Sequence, residues 1–338
     1  MSIELNLLLE EYIEKEDIEK VIFELGFKKD DKYENSYLWY DEGFLSTRGC
    51  WFSFNYQDSY CVNEEAQQYK TIKMLCGSST YAGRSYYDLE MQLEVLRKLK
   101  SEFGGIIHNP DNDEYGVFEN WLPKLSKTEM ACGKAYLHFL NNLHKVKMLI
   151  EEVDMKKVKR DGDFGTLMFN VPLLRNNTLI PFCLSVLETF LRQFFTSYLQ
   201  TNEEAMNEIF KQKEQLNYSV VQELLKGEKS IIDIELEKYS FQSFKSANKA
   251  YVKYLGIDLY KDVLRNILLY DDKETTIISV LTELIEKRHR IIHEAALEDD
   301  LGQEKMDKYY FFLKAFGEVF INTVMEKRKL RLLINEEL

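Results

Sequence analysis

Glu286-Lys287-Arg288-His289-Arg290-Ile291-Ile292-His293-Glu294 closes a long helical pattern that runs back to about Lys273. Two of the chain's five histidines fall within this stretch, beside three cations. Upstream, Ile277, Val280, Leu281, Leu284 and Ile285 recur at the spacing of one helix face. Downstream, Glu298-Asp299-Asp300-Leu301-Gly302 breaks the pattern. Tyr309, Phe312, Leu313, Phe316, Val319, Phe320 and Val324 then mark a last helix from about Lys305 to Leu333. Two long amphipathic helices joined by a short acidic turn predict antiparallel neighbours in a helical bundle.

The pattern extends back through the C-terminal half. Leu184, Leu187, Phe190, Leu191, Phe194 and Phe195 form a broad apolar stripe, with Pro181 near the helix start. Further helices are expected over Glu203–Lys211, Ser219–Leu225, Phe241–Leu255 and Ile257–Leu269.

Before residue 172 the texture differs. Leu5, Leu8, Leu9, Tyr12, Ile13, Ile18, Val21, Ile22 and Leu25 sit at helical spacing, predicting one or two helices up to Gly26. Tyr37-Leu38-Trp39-Tyr40, Gly49-Cys50-Trp51-Phe52-Ser53-Phe54 and Lys70-Thr71-Ile72-Lys73-Met74 read as antiparallel strands. Tyr86–Phe103 returns to helix and stops at Gly104-Gly105. Ile106–His108 and Thr166–Val171 are short strand candidates, and Trp121–Val158 is helical. The expected organisation is an α+β domain over 1–172, with a sensor or regulatory role, followed by an all-α helical bundle over 173–338.

With 338 residues and 45% hydrophobic content, the chain is long enough for two cores. Its formal charge is −13. From Arg175 onward there are 23 Lys+Arg against 27 Asp+Glu, so −9 of that charge falls earlier. Such a field opposes tight constitutive binding to phosphate backbones, but not a transient encounter through a small basic patch. The five cysteines form no CxxC pair, which predicts reduced thiols in a cytoplasmic protein. No apolar run approaches the ~18 residues of a membrane span, so no membrane contact is expected.

Three features before residue 172 carry no chemistry on this reading. Asp111–Gly116 begins like a calcium loop but has Tyr115 where an oxygen ligand is needed, and reads as a solvated turn. Thr80–Ser85 reads as a helix-capping turn rather than an anion cradle. His138 and His144 have no partner at ligand spacing.

Arg288, four residues, then His293, on the penultimate helix of a bundle, resembles the HEPN superfamily, whose members carry an R-x4–6-H motif there. His289 stands where many members have Asn, Asp or His. The resemblance covers the C-terminal half only. It implies a metal-independent endoribonuclease with no cofactor, acting as a homodimer whose two motifs meet at the interface, with RNA as a transient substrate. It also implies a toxin, abortive-infection or antiviral defence role, in which a protein trigger or inhibitor would act at the N-terminal domain. Many HEPN-like domains are instead non-catalytic dimerisation or binding modules, and that alternative stands beside the first.

Cleavage without a metal needs a base for the 2′-hydroxyl proton, an acid for the leaving 5′-oxygen and a cation on the phosphorane-like transition state. Histidine serves as acid or base near neutrality, and a guanidinium grips phosphate oxygens with two prongs. This assigns acid–base work to His293 and the phosphate clamp to Arg288, with His289 as a third member. On an unbroken helix Arg288 and His293 are about 140° apart, so the pair needs a local bend or a second subunit. His289 and His293 share a face, which opens a zinc reading, but Arg290 stands where the protease motif needs Glu. A solvated face is the remaining alternative, with Lys287, Arg288 and Arg290 paired to Glu283, Glu286 and Glu294. Glu188, on the first helix of the bundle, is a further candidate for orienting the site.

Overall fold

β1 (Ile3–Leu9) explains the N-terminal unit. Leu5, Leu7 and Leu9 alternate onto one face, while Asn6 and Leu8 take the other. All five are buried, because β1 pairs on both edges, with β5 (Met74–Thr80) and β6 (Ile106–Asn109). The helix expected over residues 4–25 is therefore only α1 (Lys15–Glu24). A Leu-rich central strand, apolar on both faces, also satisfies helical spacing.

The computed structural model describes residues 2–57, 71–160, 169–213 and 215–332. β2 (Lys28–Lys29), β3 (Ser36–Trp39), β4 (Cys50–Tyr56) and β7 (Glu114–Tyr115) complete a seven-stranded antiparallel sheet of order β2-β3-β4-β5-β1-β6-β7. The strand expected at 70–74 lies later, at β5, whose Met-Leu-Cys-Gly-Ser-Ser-Thr sequence lacks the aromatic signature of its neighbours; Lys70 is outside the described residues.

α2 (Tyr86–Phe103) and α1 cover one face of the sheet, packing Ile18, Ile22, Leu89, Leu93 and Leu96 on Leu7, Phe52 and Phe54. Ser85 caps α2 and Asp88 returns the capping bond, as the turn before it predicted. Gly105 then brings the chain onto β1. Its φ is +91°, and a Cβ there would lie 2.5 Å from the Leu8 carbonyl oxygen.

The second unit begins at Thr128, not at 173. α3 (Lys127–Leu149) and α4 (Met155–Arg160) belong to it, because Cys132, Phe139, Leu143 and Val158 enter the bundle core. α5 (Val171–Thr201) is the axis of that core. Phe190 stacks on Phe139 at 4.3 Å and meets Phe320 edge-on at 5.4 Å. Pro181 lies inside α5 rather than at its start; Asn170 caps the first turn and Pro172 follows. Val171 is thus helical, and 166–168 of the expected Thr166–Val171 strand lie outside the described residues. By composition α5 alone among the described helices could span a membrane, with mean hydropathy 1.2, but 56% of that window is buried in the protein.

α6 (Glu203–Phe210), α7 (Tyr218–Leu225), α8 (Ile231–Glu237) and α9 (Phe244–Leu255) follow. The helix expected over Ile257–Leu269 is a single π-helical turn, Leu259–Leu264, and then a hairpin, β8 (Ile267–Tyr270) and β9 (Lys273–Thr276). Asp271 and Asp272 form its turn at φ +47° and +59°. α10 (Ile277–His293) therefore starts four residues later than the periodicity suggests, capped by Thr276. α11 (Gln303–Arg328) ends the bundle. The described cysteines, Cys50, Cys76, Cys132 and Cys183, are free and buried; burial pushes the thiols of Cys50, Cys76 and Cys183 up to about 12.

Candidate functional site

The inward face of α10 runs Ile277, Val280, Leu281, Leu284 and then Lys287, all buried. A lysine in that register must bring its charge inside, which is costly without partners. Its Nζ donates to Glu298 and to Asp300, each at 2.6 Å. Arg290 adds a two-pronged contact to Glu298, at 2.6 and 2.9 Å. The Arg290 bond, then Lys287, hold the Glu298 carboxyl at about 2 against the opposing effect of burial. Lys287 and Arg290 are therefore not charges on a solvated face paired with Glu283, Glu286 or Glu294. They fasten the acidic turn to the helix before it.

The same turn is gripped from α5. Asn177 accepts the Glu298 backbone N–H at 2.9 Å and donates to its carbonyl at 3.0 Å. Asn176 donates to the carbonyls of Leu301 and Glu151, both at 2.9 Å. Two asparagines on an apolar helix stripe were the sequence signal for this contact. The acids they organise stand some 120 residues away in sequence, so pairing at helical spacing could not reveal it.

Arg288 lies one position round the helix and turns toward α5. Its Nη1 is 3.5 Å from Oε1 of Glu188, with the two side chains 26% and 18% exposed. Leu184, Leu187, Phe241 and Gln242 close a cavity of about 20 Å³ beside them, the size of one water. Burial raises the Glu188 carboxyl above its usual range, with Arg288 and then Gln242 opposing. The Nε of Arg288 is buried and has no hydrogen-bond partner among the described residues. The guanidinium thus keeps an unused donor.

His289 and His293 take the outer face, both exposed, with ring centroids 4.8 Å apart. α10 continues unbroken to His293, and Glu294 N–H bonds to the Arg290 carbonyl at 3.0 Å. No bend brings Arg288 round to His293. Within one chain the structure groups the histidines on one side of α10 and Arg288 with Glu188 on another. Among the described residues, no group of three or more His, Cys, Asp or Glu has metal-holding geometry. His138 is exposed and bonds Gln193 at 2.8 Å.

Residues 175–326 match the family model described as RiboL-PSP-HEPN, a span that runs from early in α5 to near the end of α11 and includes Arg288, His289 and His293. Searches of curated proteins and of solved structures returned no match.

Proposed function

We propose that the C-terminal bundle, which carries this HEPN match, is a metal-independent endoribonuclease that works as a homodimer in the cytoplasm. The observation that carries the reading is the exposed His289–His293 pair, 4.8 Å apart and next to Arg288 on the penultimate helix. One histidine, His293, takes the proton of a ribose 2′-hydroxyl. The 2′-oxygen attacks phosphorus, the bond to the 5′-oxygen breaks, and a second imidazole protonates that oxygen. His289 of the same chain or a histidine from the second subunit supplies this acid. Because Arg288 faces Glu188 on another side of the same helix, the guanidinium that grips the non-bridging oxygens is Arg288 of the second subunit. The products are a 2′,3′-cyclic phosphate and a 5′-hydroxyl. A toxin or defence effector fits such an activity, with the N-terminal unit restraining or directing it through a protein trigger.

Incubation of the purified protein with total RNA and EDTA should yield fragments ending in cyclic phosphate. His293→Ala, at an exposed position, should remove at least 99% of this cleavage while leaving the thermal midpoint unchanged. Undiminished cleavage by that variant would overturn the assignment. A second reading rests on a specific contact: Arg288 is already matched to Glu188. On that reading the bundle dimerises and binds a protein partner without cleaving RNA, and wild-type protein leaves RNA intact.

A further inference from the structure

The N-terminal sheet carries a polar row on the face turned away from α1 and α2. The strand registers place Ser36, Ser53, Gly77, Asn6, His108 and Tyr115 side by side on six adjacent strands. Asn6 is only 5% exposed and His108 only 6%. Withdrawn polar groups need partners. His108 has them, with Nε2 2.8 Å from Asp113 and its ring stacked on Tyr115 at 4.4 Å. Asn6 is served on one side only. Its amide nitrogen donates to Glu4 at 3.4 Å, while its Oδ1 is buried with no hydrogen-bond partner among the described residues.

Gly77 makes room for that oxygen, which packs over its Cα. A Cβ at 77 would lie 3.0 Å from Asn6 Oδ1 and 3.8 Å from Ser53 Oγ. A cleft of about 360 Å³ stands over Gly77, within the range of small-ligand sites. Tyr33, Trp51 and Tyr81 give it aromatic walls, Ser79 adds a hydroxyl, and Glu4 is the one charged side chain among its described lining residues. Aromatic faces attract cations, and the acid at the rim has the complementary sign. Lys32 Nζ already stands 5.7 Å over the Tyr33 ring, so Trp51 and Tyr81 are the faces left for a ligand.

We propose that this cleft binds a small organic cation, an alkylammonium or guanidinium group, held against the rings, neutralised by Glu4 and donating its N–H groups to the hydroxyls of Ser53 and Ser79. The site lies in the N-terminal unit and is independent of the nuclease reading. Calorimetric titration of the full chain with n-butylguanidinium, and with its neutral isostere n-butylurea, tests it. Saturable binding of the cation, at least tenfold tighter than of the urea, is expected. Glu4→Gln should weaken it at least tenfold, with its thermal midpoint kept near wild type. His293→Ala should bind as wild type, which separates this result from any failure of RNA cleavage. Equal binding of the urea, unchanged affinity in Glu4→Gln, or no saturable binding of the cation would overturn the proposal. So would binding of an Arg-containing tripeptide more than tenfold tighter than the free cation, which would assign the cleft to a protein partner.

Discussion

Glu188 and Arg288 answer for each other's charge in a partly dry place, so the arginine cannot be removed alone without consequence. Arg288→Ala leaves a carboxylate at 18% exposure beside apolar side chains and should cost about 1–3 kcal/mol. Because the folded Glu188 carboxyl is raised, its ionisation opposes folding as pH climbs past the ordinary glutamate value. Glu188→Gln should therefore be neutral or stabilising at pH 7, and Glu188→Gln/Arg288→Gln should recover most of the stability lost in Arg288→Ala. Thermal denaturation at pH 7 measures both. A double variant that is stable yet fails to cleave RNA would separate loss of the clamp from loss of fold. At this scale the sequence showed the motif and its place on the helix, and it put Glu188 among the candidates. It did not show that Lys287 is buried, because the acids that make this possible follow the helix, across a turn.

At the scale of elements, periodicity succeeded where one face is buried and failed where two are, or where one is buried only in part. α2 was legible to the residue, with a stripe, a capping box and Gly104 as its stop. β1 was not, since Leu5 to Leu9 are all buried and satisfy either period. The hairpin before α10 was hidden because Lys273–Thr276 continues smoothly into the helix and its outward residues, Ile267 and Leu269, are exposed. Its turn shows how to strengthen it. Asp272 adopts φ +59°, a region glycine enters freely. Asp272→Gly should raise stability by roughly 0.5 kcal/mol, seen as a small rise in midpoint. The acidic turn after α10 predicts the opposite sign. Glu298→Ala leaves Arg290 without its two-pronged partner and Lys287 with Asp300 alone, and should cost roughly 3 kcal/mol.

At the scale of the molecule, two separate cores set two reporters. Trp39, Trp51 and Trp121 all precede Thr128, so tryptophan emission follows the N-terminal unit. The long helices lie in the other unit and dominate the helical circular dichroism. Glu298 and Glu235 are both held at about 2, Glu235 by Lys238, Tyr254 and Lys253 against its own burial. A depressed carboxyl stabilises above its unfolded value near 4.5, and this contribution is lost as pH falls toward the folded value. The helical signal of the second unit should thus lose thermal stability steeply between pH 4.5 and 2, and Glu298→Gln should flatten that slope. The composition placed two cores in the chain. It set their border too late, because α3 is apolar enough for either one and only its packing on Phe190 assigns it.

The four described cysteines are buried and quiet toward thiol reagents. With Cys61, which lies outside the described residues, changed to Ser, the thiols that remain are shielded and hard to ionise. A new cysteine at exposed Ile292 would then be the one handle for a spin label. If two copies of α10 approach one another in solution, paired labels will report that distance directly, whether or not RNA is ever cut.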